Sequence, residues 1–224
     1  MMKKASLLIM AFLSILFLSC TTQSPLPQTV EGSGQVVSET RQVSGFSGID
    51  LQSAGEVMVA IGSSESVVVE ADDNLLPIIT TGVKGGRLVI GILPGIRVTT
   101  NNPIRITVNM KKLENVTVSG AGSVNVKGLE SGAVKFDLPG SGSIAANGKA
   151  KSLNAYLQGS GKIDCSGLEV DTAVAYLRGT GEIVVHPIRV LYANISGSGN
   201  VNYFGDPASV DQKITGSGKL IKLP

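Results

Sequence analysis

The chain has no tryptophan, a single histidine, two cysteines and only 4% aromatic residues, and its acidic and basic side chains nearly cancel to a formal net charge of +2. Each shortage removes a class of function. One histidine, His186, without a cysteine beside it cannot build a zinc site. With Pro187 next to it, it is expected in a solvated turn. Of the two cysteines, Cys20 closes an apolar leader, so Cys165 has no disulfide partner. Cys165 falls two residues after Ile163 in an apolar alternation and reads as a small buried hydrophobe. The scattered Lys and Arg residues give no electrostatic footprint for nucleic acid or for an anionic membrane surface. No stretch of the second half has helical periodicity. Its Gly-x-Gly sequences therefore lack the following helix that a dinucleotide site requires, and none ends in the Lys-Ser/Thr of a phosphate-binding loop. No cofactor and no metal site is expected.

Glycine, in contrast, is plentiful and ordered. Six copies of apolar-x-Gly-Ser/Thr/Ala-Gly-x-apolar fill the second half: Val118–Val124, Leu138–Ile144, Leu157–Ile163, Leu177–Ile183, Ile195–Val201 and Ile214–Leu220. Their second glycines stand at 122, 142, 161, 181, 199 and 218, in steps of 20, 19, 20, 18 and 19. A near-constant period of this size is the signature of a solenoid, each lap of chain stacked on the last.

Within each copy the residues alternate with period 2, as in a strand with one buried face. Two residues before the first glycine stand Val118, Leu138, Leu157, Leu177, Ile195 and Ile214; four residues after it stand Val124, Ile144, Ile163, Ile183, Val201 and Leu220. Both columns are wholly aliphatic and are expected inside. The glycines share that inward parity, at a corner where a side chain has no room or where a positive φ is needed. A ladder of hydroxyls is expected outside them. A flexible Gly/Ser linker would not hold aliphatic residues at fixed offsets on both sides.

The first half is a looser version. Leu51-Gln-Ser-Ala-Gly-Glu-Val57 matches Leu157–Ile163 position for position, and Val30-Glu-Gly-Ser-Gly-Gln-Val36 reads as a further copy. Between Val57 and Val116 the corner signal vanishes while strand-like runs persist; about three wider coils or longer hairpin-like excursions would fill that stretch. Asp72-Asp73-Asn74 is suited to capping a single helical turn at Leu75–Ile78.

The N-terminus has a different character. Lys3 and Lys4 precede an apolar run from Leu7 to Leu18, too short for a comfortable membrane span and suited to a cleaved export signal. Phe17-Leu18-Ser19-Cys20 resembles the lipobox of bacterial lipoproteins, which implies that Cys20 becomes the lipid-attachment site. Polar, proline-bearing Thr21–Gln28 suits an extended tether. The expected organisation is a signal peptide over 1–19, a lipidated cysteine and tether over 20–30, and one domain over 31–224, with irregular coils over 31–115 and regular coils over 116–224.

Taken in order, Gly32-Ser-Gly34, Val43-Ser-Gly-Phe46-Ser-Gly-Ile49, Gly55-Glu-Val57, Asp72-Asp-Asn-Leu75, Leu88-Val-Ile90 and the serial Gly-Ser-Gly copies resemble the putative autotransporter adhesin, head GIN domain family of Bacteroidetes envelope lipoproteins. The resemblance spans about Gly32 to Leu223. It implies an all-β fold, a single-stranded parallel β-helix-like solenoid of right-handed winding, at the cell envelope. Surface-exported lipoproteins of that group often carry acidic residues after the cysteine. The tether here has none, which favours the periplasmic leaflet of the outer membrane over the cell surface.

A search for chemistry finds no catalytic constellation. A glycosidase needs two carboxylates facing one groove, yet Asp137 shares its column with Tyr156, Tyr176, Asn194 and Lys213, and Asp164 lies between Ala145 and Val184. Neither column pairs two acids on neighbouring coils. Lys162 and Glu182 share a column and are expected to form an exposed ion pair. Tyr156 and Tyr176 share an outward column on adjacent coils, where their rings would stack about 5 Å apart, either as packing or as a surface contact. The reading is a non-catalytic, lipid-anchored envelope protein, an adhesin or an assembly scaffold. It would meet the membrane through its lipid and a protein or glycan through its surface. A carbohydrate-binding or polysaccharide-degrading β-helix protein is the alternative.

Overall fold

The alternation dictates strands, and the glycines dictate where they bend. The computed structural model describes residues 27–224. Two strands, β1 (Gln28–Glu31) and β2 (Val36–Arg41), precede the first lap, which runs through β3 (Gly48–Leu51), a corner at Ser53–Gly55 and β4 (Glu56–Ile61). The chain then leaves the stack. β5 (Ser66–Asp72) leads to a hairpin of β6 (Ile79–Lys84) and β7 (Arg87–Ile92), turned on Gly85 and Gly86 at φ +57° and +71°. Positive φ at both central residues matches the right-handed twist of the flanking strands, and glycine supplies it without strain. β8 (Ile96–Thr99) and β9 (Arg105–Met110) follow.

β7 and β9 return parallel to β3 and β4 and form a lap on their outer side. β6 and β5 cover that lap in the opposite direction, antiparallel to β7 and β9, and β2 is antiparallel to β5. β1 pairs with β8 in a separate parallel two-stranded sheet. The chain then crosses to the other side of β3 as β10 (Asn115–Val118) and winds regularly through β11 (Ser123–Leu138), β12 (Ser143–Leu157), β13 (Lys162–Gly179) and β14 (Glu182–Gly197). Each pairs parallel with the next, and β15 (Asn200–Tyr203), β16 (Ser209–Gly216) and β17 (Leu220–Lys222) complete the stack. The protein is an all-β parallel solenoid.

The two aliphatic columns form interior files up to the last lap, where, against expectation, Ile214 is exposed and Leu220 only half-buried because no further lap covers them among the described residues. Leu51, Val118, Leu138, Leu157, Leu177 and Ile195 are buried, as are Val57, Val124, Ile144, Ile163, Ile183 and Val201. Cys165, two residues after Ile163, is also buried. Each such aliphatic side chain contributes about 1.5–3 kcal/mol by leaving water. In β12 the buried residues are Ile144, Ala146, Ala150, Leu153, Ala155 and Leu157. Their spacing departs from 2 on both sides of Ala150, so the chain bends there to close the lap.

The corner glycines are required chiefly by space. An added Cβ on Gly122 would lie 2.6 Å from the carbonyl oxygen of Gly55 and 2.7 Å from Leu51 Cδ2. The same collision, with the preceding lap's glycine oxygen and its interior aliphatic, recurs at Gly142, Gly161, Gly181, Gly199 and Gly218. That oxygen also accepts a hydrogen bond from the amide after the next lap's glycine: Ser123 to Gly55 at 2.8 Å, Ser143 to Gly122 at 3.0 Å, Lys162 to Gly142 at 3.2 Å and Glu182 to Gly161 at 3.1 Å. Glycine therefore lets successive laps approach to hydrogen-bonding distance. Outside the glycines stand exposed Ser141, Ser160, Thr180, Ser198 and Ser217, the last donating to Ser198 Oγ at 3.2 Å.

Other parts of the chain depart from the regular laps. Val30–Val36 is not a lap: Gly34 has φ +84° in open space, and a Cβ on Gly32 would meet the Asp72 carboxylate. Of the two readings left open for the stretch from 58 to 115, the hairpin-like excursion holds: it is the reversed excursion and outer lap just described. Asp72–Asn74 precedes turns rather than a helix. Asp72 accepts from Thr100 Oγ1 at 2.6 Å and Asn102 Nδ2 at 2.7 Å, while Asn74 accepts from the Ser33 amide at 2.9 Å and donates to the Glu31 carbonyl at 2.7 Å. Asn74 thus latches the N-terminal segment to the stack, while Asp72 ties in the loop after β8. His186 lies within β14, half-buried, with Nδ1 3.2 Å from the Ser166 carbonyl oxygen and its ring tilted towards Phe204. Lap-to-lap pairing continues through it and Pro187, so no free turn forms.

Candidate contact face

The outward residues of the C-terminal halves of β11 to β14, together with β16, form one broad face of the solenoid. Register aligns Asp137, Tyr156, Tyr176, Asn194 and Lys213 in one column, and Lys135, Asn154, Val174, Tyr192 and Asp211 in the next. The Tyr156 and Tyr176 rings stack with centroids 5.0 Å apart and planes within 5°. Lys135 Nζ sits 4.9 Å from the Tyr156 centroid on the same stack, and its ammonium also reaches Asp137 Oδ2 at 3.4 Å. The lap spacing imposes the ring separation, and a stacked pair of this kind contributes about 0.5–1.5 kcal/mol beyond its burial.

The stack ends at Asn194, a smaller side chain, which leaves the far side of Tyr176 open. There Val174, Tyr176, Tyr192, Asn194, Asp211 and Lys213 line a shallow cavity of about 150 Å³. Tyr176 is 39% exposed and Tyr192 48%. Tyr192 was missed by inspection of single columns because it lies on the diagonal, opposite Val174. Cross-strand diagonals are within reach of aromatic side chains and carry that signal.

Along the glycine corner runs an open groove of about 560 Å³, lined by Ser141, Ser160, Thr180, Ser198, Lys162 and Glu182. Lys162 bonds both Glu182 at 3.1 Å and Asp164 at 3.2 Å. Asn202 Nδ2 donates to Glu182 Oε1 at 2.6 Å. The expected Lys162–Glu182 ion pair is present, and Lys162 also bridges to Asp164 on its own strand, while the Asp164 column still holds no second acid. Burial pushes the Asp164 carboxyl up, and the Ser166 hydroxyl and amide together with Lys162 outweigh it and hold it below the ordinary range. Glu182 and Asp164 in turn raise Lys162. Asp72, held by Thr100 and Asn102, and Glu114, held by Lys112 and Ser47, are lowered as well. A general acid for glycoside cleavage needs the opposite displacement. Among the described residues no cluster of three His, Cys, Asp or Glu side chains suits a metal ion. Cys20 lies outside the described residues.

From the entry of the first lap to the loop before β16, residues 45–207, the chain matches the family model described as putative auto-transporter adhesin, head GIN domain. The chain belongs to this family. Solved structures similar to the head GIN solenoid include a putative adhesin from Bacteroides fragilis NCTC 9343, 19% identical with a TM-score of 0.73 over 87% of this chain and 100% of that one. A putative lipid binding protein from Parabacteroides distasonis ATCC 8503 is 21% identical with a TM-score of 0.60, covering 88% of this chain and 100% of its own. A putative adhesin from the same strain is 24% identical, at 0.52 over 88% and 100%. At such identities the likeness concerns the fold. No curated protein matches the chain. The family description is that of an adhesin, a cell-envelope or surface role, and names no enzymatic activity.

Proposed function

We propose that this protein is a non-catalytic lipoprotein of the bacterial cell envelope. A lipid on Cys20 holds it to the outer membrane, and the head GIN solenoid serves as an adhesive or assembly-scaffolding body. The observation that carries this reading is the tyrosine-bearing face. It is broad, its rings are held in place by stacking and lap spacing, and it is exposed, so binding to it costs little side-chain ordering. Aromatic side chains of this kind dominate contact energetics at interfaces.

The apolar leader and the Phe17-Leu18-Ser19-Cys20 sequence support the anchor. The polar residues from Thr21 up to Gln28, where β1 begins, would let the solenoid stand off the bilayer, and their lack of acidic residues supports the periplasmic leaflet. The partner is a protein or a glycan met through many polar contacts around the tyrosines.

Metabolic labelling with a palmitate analogue tests the anchor: the chain takes up label and fractionates with the outer membrane, while Cys20→Ala does neither. Protease treatment of intact cells separates the leaflets, since a periplasmic solenoid survives it. For adhesion, binding of the chain to isolated envelopes falls about tenfold or more in a Tyr156→Ala/Tyr176→Ala/Tyr192→Ala variant. Unlabelled chain, or binding indifferent to the three tyrosines, would sink the corresponding half of the reading.

A further inference from the structure

The two ends of the solenoid are built differently. At one end β2, β5 and β6 cover the outer lap in reversed direction. At the other, among the described residues, β16 is hydrogen-bonded on one edge only, to β14, and every residue of it is exposed. Val210 and Ile214 register on Leu191 and Ile195, which are buried one lap earlier, yet the former are 41% and 39% exposed. On the same lap Ile221 of β17 is 37% exposed. A strand edge with unpaired amides and carbonyls beside continuing aliphatic files is a template for another strand.

The sequence of this edge says which strand. Val210, Gln212 and Ile214 continue the interior files, and Asp211 and Lys213 point outward between them. Around Gln212 the order is apolar, acid, amide, base, apolar. Run antiparallel against itself with Gln212 at the centre, the segment sets Val210 opposite Ile214, Asp211 opposite Lys213, and Gln212 opposite itself. A Gln amide both donates and accepts, so two facing copies can satisfy one another. Moving the pairing by two residues in either direction places Asp211 opposite Asp211, or Lys213 opposite Lys213, which is repulsive. Among the described residues neither Asp211 nor Lys213 has an ion-pair partner within the chain.

We infer that β16 is the docking edge for a second copy of this chain. Two solenoids join head to head about a two-fold axis through Gln212, with β16 antiparallel to its counterpart and the interior files continuing from one molecule into the next. A two-fold interface of this kind is isologous and closes after two copies, so the edge is consumed rather than propagated.

The test is disulfide cross-linking of the full chain in envelope membranes. In an antiparallel pair the residue on the axis faces itself at a Cα separation of about 4.5–5.5 Å, within reach of a disulfide. Gln212→Cys is expected to give a dimer on mild oxidation, where the unsubstituted chain and Gly132→Cys, placed away from this edge, do not. Adding Asp211→Lys to Gln212→Cys sets lysine against lysine, and adding Lys213→Asp sets acid against acid. Each combination is expected to cut the dimer about tenfold. Co-expressing the two restores it, because every facing pair is then opposite in charge. These outer substitutions sit on an exposed strand, and circular dichroism of the purified variants confirms that the lap still folds. Absence of the Gln212→Cys dimer overturns the inference. A dimer indifferent to the charge changes, or one not restored by co-expression, does so too.

Discussion

Gly122 stands directly against Gly55, although the whole excursion from β5 to β9 separates them in the chain: the Gly55 carbonyl oxygen lies 2.6 Å from where a Gly122 Cβ would be. The glycine ladder therefore runs unbroken from the first lap to the last. Residue number interrupts it, space does not.

The ladder makes a sharp prediction about substitution. Gly161→Ala puts a Cβ into the Gly142 oxygen and within 2.8 Å of Leu138 Cδ2, which parts two laps and weakens the bond from the Lys162 amide. A loss of about 2–3 kcal/mol is expected, at the upper end of overpacking costs. Gly132, with nothing within 4 Å of its missing Cβ and no positive φ, is the control. Gly132→Ala should be neutral or stabilising by up to about 1 kcal/mol through the unfolded chain. Urea denaturation of the two variants reads both, and equal effects would contradict the corner geometry.

The interior file supplies a second measurement. Leu157 is fully buried between Leu138 and Leu177, and Leu157→Ala leaves a void that neighbouring laps, fixed by their own ladders, cannot collapse into. The expected cost is about 2–5 kcal/mol by denaturant titration. A loss below 1 kcal/mol would place this side chain outside a packed interior.

Tyr156 and Tyr176 test packing against contact. If the stacked pair adds stability of its own, a double-mutant cycle of Tyr156→Ala and Tyr176→Ala gives a coupling of about 0.5–1.5 kcal/mol. A coupling near zero would mean that the stack adds nothing to the fold beyond what each ring contributes alone.

Much of this architecture was legible because it repeats. Both aliphatic files, the burial of Cys165, the inward glycines and the Tyr156–Tyr176 stack follow from columns of residues at a fixed period. What escaped was whatever the period does not encode. An antiparallel strand alternates with the same period of 2 as a parallel one, so the reversal at β5 and β6 left no trace in the hydrophobic pattern. Val30–Val36 satisfies the local motif, but its glycines answer to Asp72 and to an open turn rather than to a neighbouring lap. The Lys162–Glu182 pair, within one column, was legible; the Lys162–Asp164 bond and the place of Tyr192 beside Tyr176 were missed because each joins neighbouring columns.

Cys165 is expected to be chemically silent in the native state. Burial pushes its thiol well up from the ordinary value, and the neighbouring Asp164 charge pushes in the same direction, so almost no thiolate forms at neutral pH. In a Cys20→Ser chain, where Cys165 is the remaining thiol, iodoacetamide should label it only once denaturant opens the laps. Labelling at the rate of a free thiol in the absence of denaturant would mean that the solenoid breathes at its centre.

Stability against pH should show a broad plateau with two edges of different origin. Asp72, Glu114 and Asp164 are all held below the ordinary carboxylate range in the folded chain. Their contribution is complete above that range, near about pH 4, and is lost as pH falls through the lowered folded values. Lys162 and Lys222 are raised by Glu182 with Asp164 and by Asp206, respectively. Their contribution is complete below the ordinary lysine value of about 10.4 and is lost as pH rises through the raised ones. A thermal scan across pH should therefore give a Tm flat between about pH 5 and about pH 10, falling on both sides. Asp72→Asn removes one ionisation from the acid edge only. It should lower the plateau, because the amide cannot accept from both Thr100 and Asn102, and make the acid slope shallower while leaving the alkaline slope unchanged. A variant whose acid slope equals that of the parent would mean that the bonds from Thr100 and Asn102 do not hold the Asp72 carboxyl below its ordinary range in the folded chain.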